Sequence, residues 1–330
     1  MPGSAVLCLI LLLTGLLSGC SSNELELGPL SETRLMLDTF CTITIFGTAD
    51  ESLLTDALDL CAWYETLFSK TIAGSDVWQI NYSEGEPVTV SPHTAEVIRI
   101  GLEYGALTDG MFDITIGRLS VLWDFGGSAV VPREEDIVVA RALVDYRKVS
   151  LDGSVVRLQS PEVRLDLGGI AKGYIADRLA EFIMDGGAKG AVIYLGGDVV
   201  VAGERPDGAP WRIAVRDPFG SGGELLGVVE TGAAAVVTSG IYERKFEEND
   251  VIYHHILDPF TGMPVRSDVV GVTVIAENAL IGDVLSTSAL LLGSERAILL
   301  FENAPEFIGA LLVLEDGERL KVGEIAFETL

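Results

Sequence analysis

Three stretches of the sequence carry residue types and spacings on which chemistry could rest. In Gly282-Asp283-Val284-Leu285-Ser286-Thr287-Ser288, an acid and a hydroxyl stand four residues apart. That spacing puts both on one face of a helix. An all-oxygen pair of this kind suits a hard cation such as Mg²⁺; an acid meeting the dipole of a helix start gives the same pattern. In Leu165-Asp166-Leu167-Gly168-Gly169-Ile170-Ala171-Lys172-Gly173, a β pattern ends at an acid and passes through two glycines into a helix pattern. Glycines let backbone approach a ligand closely, and a helix start attracts phosphate. The order of residues is neither a Walker A loop nor a GxGxxG fingerprint, and an ordinary strand–helix turn is the plain alternative. In Tyr253-His254-His255-Ile256-Leu257-Asp258-Pro259-Phe260-Thr261-Gly262, two adjacent histidines precede a turn. In a strand they point to opposite faces, so at most one faces a given pocket. A histidine there could take a proton from an attacking hydroxyl, or simply pack in a hairpin.

The elements that must position these groups alternate between β and α patterns. Residues 35–46 are β-branched and alternating, which predicts a strand. Residues 50–68 place apolar residues at helical spacing. Residues 69–87 read as a loop, and 91–107 as a helix capped by Ser91 with Pro92 in its first turn. The Gly-studded stretch 108–127 fits neither period and reads as a binding loop. A helix over 132–144 leads to short strands at 149–151, 155–158 and 163–167. A helix over 173–184 follows, then strands to residue 257 and at 269–275. Helices over 280–292 and 295–302, a strand at 308–314 and a final hairpin complete the pattern. The expected fold class is mixed α/β, with largely antiparallel sheets flanked by helices in two intimate subdomains.

The chain has 330 residues, 48% of them hydrophobic, enough for a large core. Its net charge of −27 argues against nucleic-acid binding and against attraction to an anionic surface. An anionic ligand would need a local cation, from a metal or a placed lysine. The run from Ala5 to Leu17 is too short to span a bilayer and reads as a secretory h-region. Leu17-Ser18-Gly19-Cys20 after it resembles a bacterial lipobox, although no Lys or Arg precedes the run. The organisation expected is therefore a signal peptide over 1–19, a lipidated Cys20 with a tether to residue 33, and a folded domain over 34–330. The protein would sit on the outer face of the cell membrane, toward the periplasm or another extracytoplasmic space. Cys41 and Cys61 could pair outside the cytoplasm; their strand and helix settings favour two buried thiols. No metal-ligand cysteine spacing is present.

These stretches together resemble the ApbE family, the FAD:protein FMN transferases. The likeness runs from about Met36 to Leu292 and its landmarks come in family order. They are Met36-Leu37-Asp38-Thr39, Thr108-Asp109-Gly110-Met111-Phe112-Asp113, Asp166 to Gly173, Gly196-Gly197-Asp198, Thr238-Ser239-Gly240, His255 to Gly262, and Asp283 to Thr287. The resemblance implies an ApbE-like fold and Mg²⁺-dependent transfer of FMN from FAD to a Thr or Ser hydroxyl, releasing AMP. It implies Mg²⁺ held by Asp283, the Thr287 hydroxyl and the Gly169 carbonyl. It implies an FAD site lined by Met36, Met111, Phe112, Asp113, Asp166, Lys172, Ile256 and Leu257, with His255 as the catalytic histidine beside Lys172 and Asp283. The acceptor would be a flavoprotein subunit with a Ser/Thr-Gly-Ala-Ser/Thr-like segment. One departure concerns Thr71, which stands where many family members place an aromatic residue near the adenine. That keeps FAD hydrolysis to FMN and AMP as an alternative, beside a non-catalytic flavin-binding lipoprotein.

Overall fold

The computed structural model describes residues 28–127, 130–220 and 222–330. The lipobox and Cys20 lie outside these residues. The chain opens with β1 (Leu30–Met36) and β2 (Thr39–Phe46), then α1 (Glu51–Phe68), capped by the Asp50 side chain on Ser52 N. Next come α2 (Asp76–Asn81), β3 (Val88–Thr89) and α3 (Pro92–Leu107), where Ser91 caps Thr94 N. After them lie α4 (Gly117–Trp123), α5 (Glu134–Arg141), β4 (Val149–Asp152), β5 (Val155–Leu158) and α6 (Ala171–Asp185). The strands β6 (Gly190–Leu195), β7 (Asp198–Gly203), β8 (Trp211–Arg216), β9 (Leu225–Thr231), β10 (Ala234–Gly240), β11 (Lys245–Glu248) and β12 (Val251–His254) follow. The chain finishes with β13 (Val269–Ala276), α7 (Ala279–Leu292), α8 (Ser294–Glu302), β14 (Phe307–Leu314), β15 (Arg319–Gly323) and β16 (Ala326–Thr329).

An eight-stranded sheet in the order β1-β2-β6-β7-β10-β13-β14-β15 forms the centre, with every neighbouring pair antiparallel. Both of its faces are covered. On β10, Ala235 and Val237 join the main core under α6 and α7, while Ala234 and Val236 join a second cluster. Val215, Val229 and Leu226 of the small sheet β16-β9-β8 complete that second cluster. Alternate residues therefore face opposite apolar layers, which explains why β13 is buried along its whole length. A third cluster, Leu119, Trp123, Ile137, Ala140 and Leu257, joins α4 and α5 to the β11–β12 hairpin.

The mixed, mainly antiparallel class read from the sequence is the one observed, with several local corrections. Residues 35–46 are two strands, not one. Leu37 and Asp38, both at φ 55°, make a two-residue turn that pairs Met36 with Thr39. The first strand begins at Leu30, inside the stretch read as a tether. The loop over 69–87 contains α2, capped by Ser75, and the stretch 108–127 contains α4. Residues 163–167 do not form a strand. Asn81 binds both Leu165 N and Leu165 O, at 2.6 and 2.9 Å, and so takes the place of a strand neighbour. The last hairpin is also different: β15 pairs with β14, and β16 crosses to β9. Cys41 and Cys61 are both buried free thiols, and Cys41 Sγ donates to Met36 O at 3.4 Å.

Candidate active site

The turn from Asp166 to Gly173 lies against α7, and most of the singled-out residues meet there. Lys172 extends from the first turn of α6 and places its Nζ 3.0 Å from Asp198 Oδ2 and 3.4 Å from Asp283 Oδ2. Both carboxylates are almost fully buried. Gly173 N donates to Asp283 Oδ2 at 3.1 Å. Burial works against the Lys172 charge, but Asp198 and Asp283 outweigh it and hold the ammonium above its usual range. Burial and the neighbouring Asp283 push the Asp198 carboxyl up, with Lys172 pulling it back. Glu243 adds a further carboxylate; burial raises it to about 7, against the pull of Lys172. Three acids thus lie in the field of Lys172, and burial together with their mutual repulsion raises Asp198 and Glu243 above the usual carboxylate range.

Asp283 and Thr287 lie on α7 at the spacing that the sequence indicates. A Cβ built on Gly169 would stand 3.5 Å from Thr287 Oγ1 and 3.4 Å from the Phe112 ring, ordinary contact distances that place the turn directly beside Thr287 of α7. Among the described residues, no group of three or more His, Cys, Asp or Glu could hold a metal ion. A cation here would rest on a mixed set of carboxylate, hydroxyl and carbonyl oxygens, which is hard-ion chemistry. Ser286 Oγ donates to Asp283 O at 3.0 Å and lies 2.8 Å from Ser239 Oγ, tying α7 to the Thr238-Ser239-Gly240 stretch.

On the other side of the turn, Lys70 Nζ is 2.5 Å from Asp166 Oδ2. Ser120 Oγ donates to the same oxygen at 2.6 Å, and Gly168 N to Oδ1 at 2.9 Å. Burial alone would raise the Asp166 carboxyl; Lys70 and these donors overcome it and hold it below the usual range.

Strand β12 ends at His254, so the two histidines do not alternate along one strand. His254 is buried, with Nε2 3.1 Å from Val265 O. His255 is half-buried and its backbone N donates to Arg244 O at 3.0 Å. Burial first, then the nearby Arg244 charge, lower the His255 imidazole to about 4, and Lys172 contributes in the same direction. Its Nδ1 is shielded from solvent and has no hydrogen-bond partner among the described residues. Arg244 reaches the β1–β2 turn, donating to Asp38 O at 3.3 Å.

The remaining sequence candidates are placed as follows. Met36, Phe112, Ile256 and Leu257 are buried, and Met111 is half-buried against the main core. Asp113 spends both oxygens inside the protein: Oδ1 accepts from Thr115 N and Thr115 Oγ1 at 2.7 and 2.6 Å, and Oδ2 from Tyr146 N at 2.7 Å. It braces the 108–116 segment from within. Lys70, Ser120, Glu243 and Arg244 do not stand out as site residues in the sequence, and Asp198 appears there only as part of a motif without a role. Lys70 is 96 residues from Asp166, so no local spacing could reveal the pair. The one available signal is the excess of acids, which requires a partner for each cation placed at the site.

A fold of helices over a large antiparallel sheet, with a Gly-Gly turn, a lysine and an Asp/Thr helix face converging, defines a class that comparison with known proteins identifies. Residues 37–312 match the ApbE family, and the chain belongs to that family. The FAD:protein FMN transferase of Vibrio cholerae serotype O1 is 33% identical over 261 residues, covering 78% of each chain. That of Klebsiella pneumoniae strain 342 is 38% identical over 251 residues, covering 75% of this chain and 78% of that protein. Among solved structures, the ApbE protein of Thermotoga maritima superimposes with a TM-score of 0.82 at 34% identity, covering 89% of this chain and 97% of the other. The flavin transferase ApbE from Vibrio cholerae gives 0.79 at 27% identity, with the same coverage.

Proposed function

We propose that this protein is an FAD:protein FMN transferase that uses Mg²⁺ to move FMN from FAD onto a Thr or Ser hydroxyl of a flavoprotein subunit, releasing AMP. The observation that carries this reading is the meeting of Lys172, Asp283 and Thr287 at one Gly-Gly turn, in a chain of the ApbE family. Bound by Asp283, the Thr287 hydroxyl and the Gly169 carbonyl, Mg²⁺ would neutralise pyrophosphate charge and the AMP leaving group. Lys172 offers its ammonium beside the same turn, a fixed positive charge for phosphate oxygens. Asp166, held ionised by Lys70, lies at the same turn, and the family resemblance assigns it and the buried Met36, Phe112, Ile256 and Leu257 to the surroundings of the dinucleotide.

In the transfer, the acceptor oxygen bonds to the FMN-side phosphorus, and the phosphorus–oxygen bond to AMP breaks with its electron pair. The hydroxyl proton passes to His255, which is uncharged at neutral pH and can accept it. The test is incubation with FAD, Mg²⁺ and an acceptor carrying a Ser/Thr-Gly-Ala-Thr segment, followed by denaturing electrophoresis. A fluorescent acceptor band that disappears with EDTA or Asp283→Ala supports the reading; a band unaffected by either removes the metal site.

A second reading is FAD hydrolysis to FMN and AMP. Thr71, whose Oγ1 lies 3.1 Å from Ser69 Oγ, cannot stack on an adenine as an aromatic ring would. Attachment to the membrane through Cys20 is likewise proposed, from the Leu17–Cys20 sequence. Cys20→Ser should release the protein into the soluble fraction; unchanged retention would oppose it.

A further inference from the structure

Gly173 and Asp177 are four residues apart on α6, as are Ala279 and Asp283 on α7. Each interval spans about 6 Å along its helix. The contacts run in opposite senses. Gly173 N donates to Asp283 Oδ2 at 3.1 Å, while Asp177 Oδ1 accepts from Ala279 N at 2.7 Å and Oδ2 from Leu280 N at 2.9 Å. The helices close tightly between these points, since a Cβ on Gly173 would stand 2.2 Å from Ala279 O. Asn278 caps Ile281 N at 3.0 Å, but it belongs to the same segment and cannot set where α7 lies. Asp177 supplies the tie from outside. A negative charge at a helix N-terminus also meets the favourable end of its dipole.

We infer that Asp177 is a positioning residue for the active site: by binding the first turn of α7 it sets the register of α7 on α6, and so the approach of Asp283 to Gly173 and Lys172. The link to metal binding rests on the reading of Asp283 as a cation ligand; the register does not. Supporting groups of metal ligands typically change affinity by about 10–100-fold when removed.

The test uses the full chain with Asp177→Ala and Asp177→Asn, the second keeping one oxygen acceptor. Mn²⁺ is titrated by electron paramagnetic resonance, crystal structures report the Gly173–Asp283 contact, and thermal melts report folding. Expected are cooperative melts, loss of the Gly173 N to Asp283 bond in Asp177→Ala, and Mn²⁺ binding weaker by about tenfold or more, with Asp177→Asn between. A folded Asp177→Ala protein that keeps that bond near 3.1 Å and binds Mn²⁺ within about twofold of wild type overturns the inference. Should the wild-type protein bind no Mn²⁺, the cation reading fails and the Gly173–Asp283 contact alone decides the positioning role. Should Asp177→Ala not fold, Asp177→Asn is judged by the same two measurements.

Discussion

Gly173 N–H donates to Asp283 Oδ2 at 3.1 Å, across a helix contact so close that a Cβ at 173 would meet Ala279 O at 2.2 Å. The glycine therefore serves two purposes, close helix packing and direct recognition of the carboxylate that faces Lys172. Gly173→Ala should push α7 away from α6. Overpacking of this kind costs about 1–3 kcal/mol, and the urea midpoint should fall accordingly. Divalent-cation affinity should fall with it; an unchanged midpoint and affinity would show that the contact relaxes freely.

Removing the charge of Lys172 leaves Asp198 and Asp283 buried without their cation. Breaking a buried pair in this way is strongly destabilising, here on the order of 3 kcal/mol after allowing for partial exposure of the lysine. Lys172→Met should lower the unfolding free energy read from urea titration by that amount, and Mg²⁺ should recover part of it. Adding Asp198→Asn to Lys172→Met should also restore stability. A double variant no more stable than the single one would mean that Asp198 is not the costly group.

His255 must be neutral to accept a proton. Its lowered value of about 4 means that it stays neutral as pH falls through the ordinary histidine range. The acid limb of the transfer rate that belongs to this group should therefore lie near pH 4, not at the ordinary histidine value of 6.5. His255→Ala should slow transfer by about 10²–10⁴-fold while FAD affinity, read by flavin fluorescence, changes little. Equal losses in rate and affinity would remove its role as the base.

His254 titrates low for a simpler reason. Burial lowers it to about 4, from the ordinary value of 6.5. The unfolded chain therefore gains a proton before the folded one does. Its contribution is fully present above pH 6.5 and declines as pH falls toward 4, by about 1.4 kcal/mol per pH unit and up to about 3 kcal/mol in all. The non-titrating variant His254→Asn should show a flatter dependence of urea midpoint on pH in that window. Parallel curves for the two proteins would contradict the assignment.

Helix ends and strand alternation were readable because they depend on neighbours in sequence. Ser91 and Pro92 mark the start of α3, and the Asp283–Thr287 spacing marks a helix face. The β1–β2 turn was hidden because two inserted residues leave the period of two intact, so Leu37 and Asp38 look like strand positions. Residues 163–167 have strand composition, yet the Asn81 side chain supplies the hydrogen bonds that a neighbouring strand would. Lys70 and Asp166, or Lys172 and Asp198, stand 96 and 26 residues apart in sequence and meet only through the tertiary fold. The sequence shows that Lys172 follows a Gly-Gly turn; it does not show which carboxylates surround it, and those decide its charge.

The most direct measurement is the intact mass of an acceptor protein bearing a Ser/Thr-Gly-Ala-Thr segment after incubation with this protein, FAD and Mg²⁺, with AMP quantified in the same reaction. Transfer requires the acceptor to gain the mass of one FMN, with one AMP released for each acceptor modified. FAD converted to free FMN and AMP while such an acceptor keeps its original mass would contradict the transferase assignment and make the protein a pyrophosphatase.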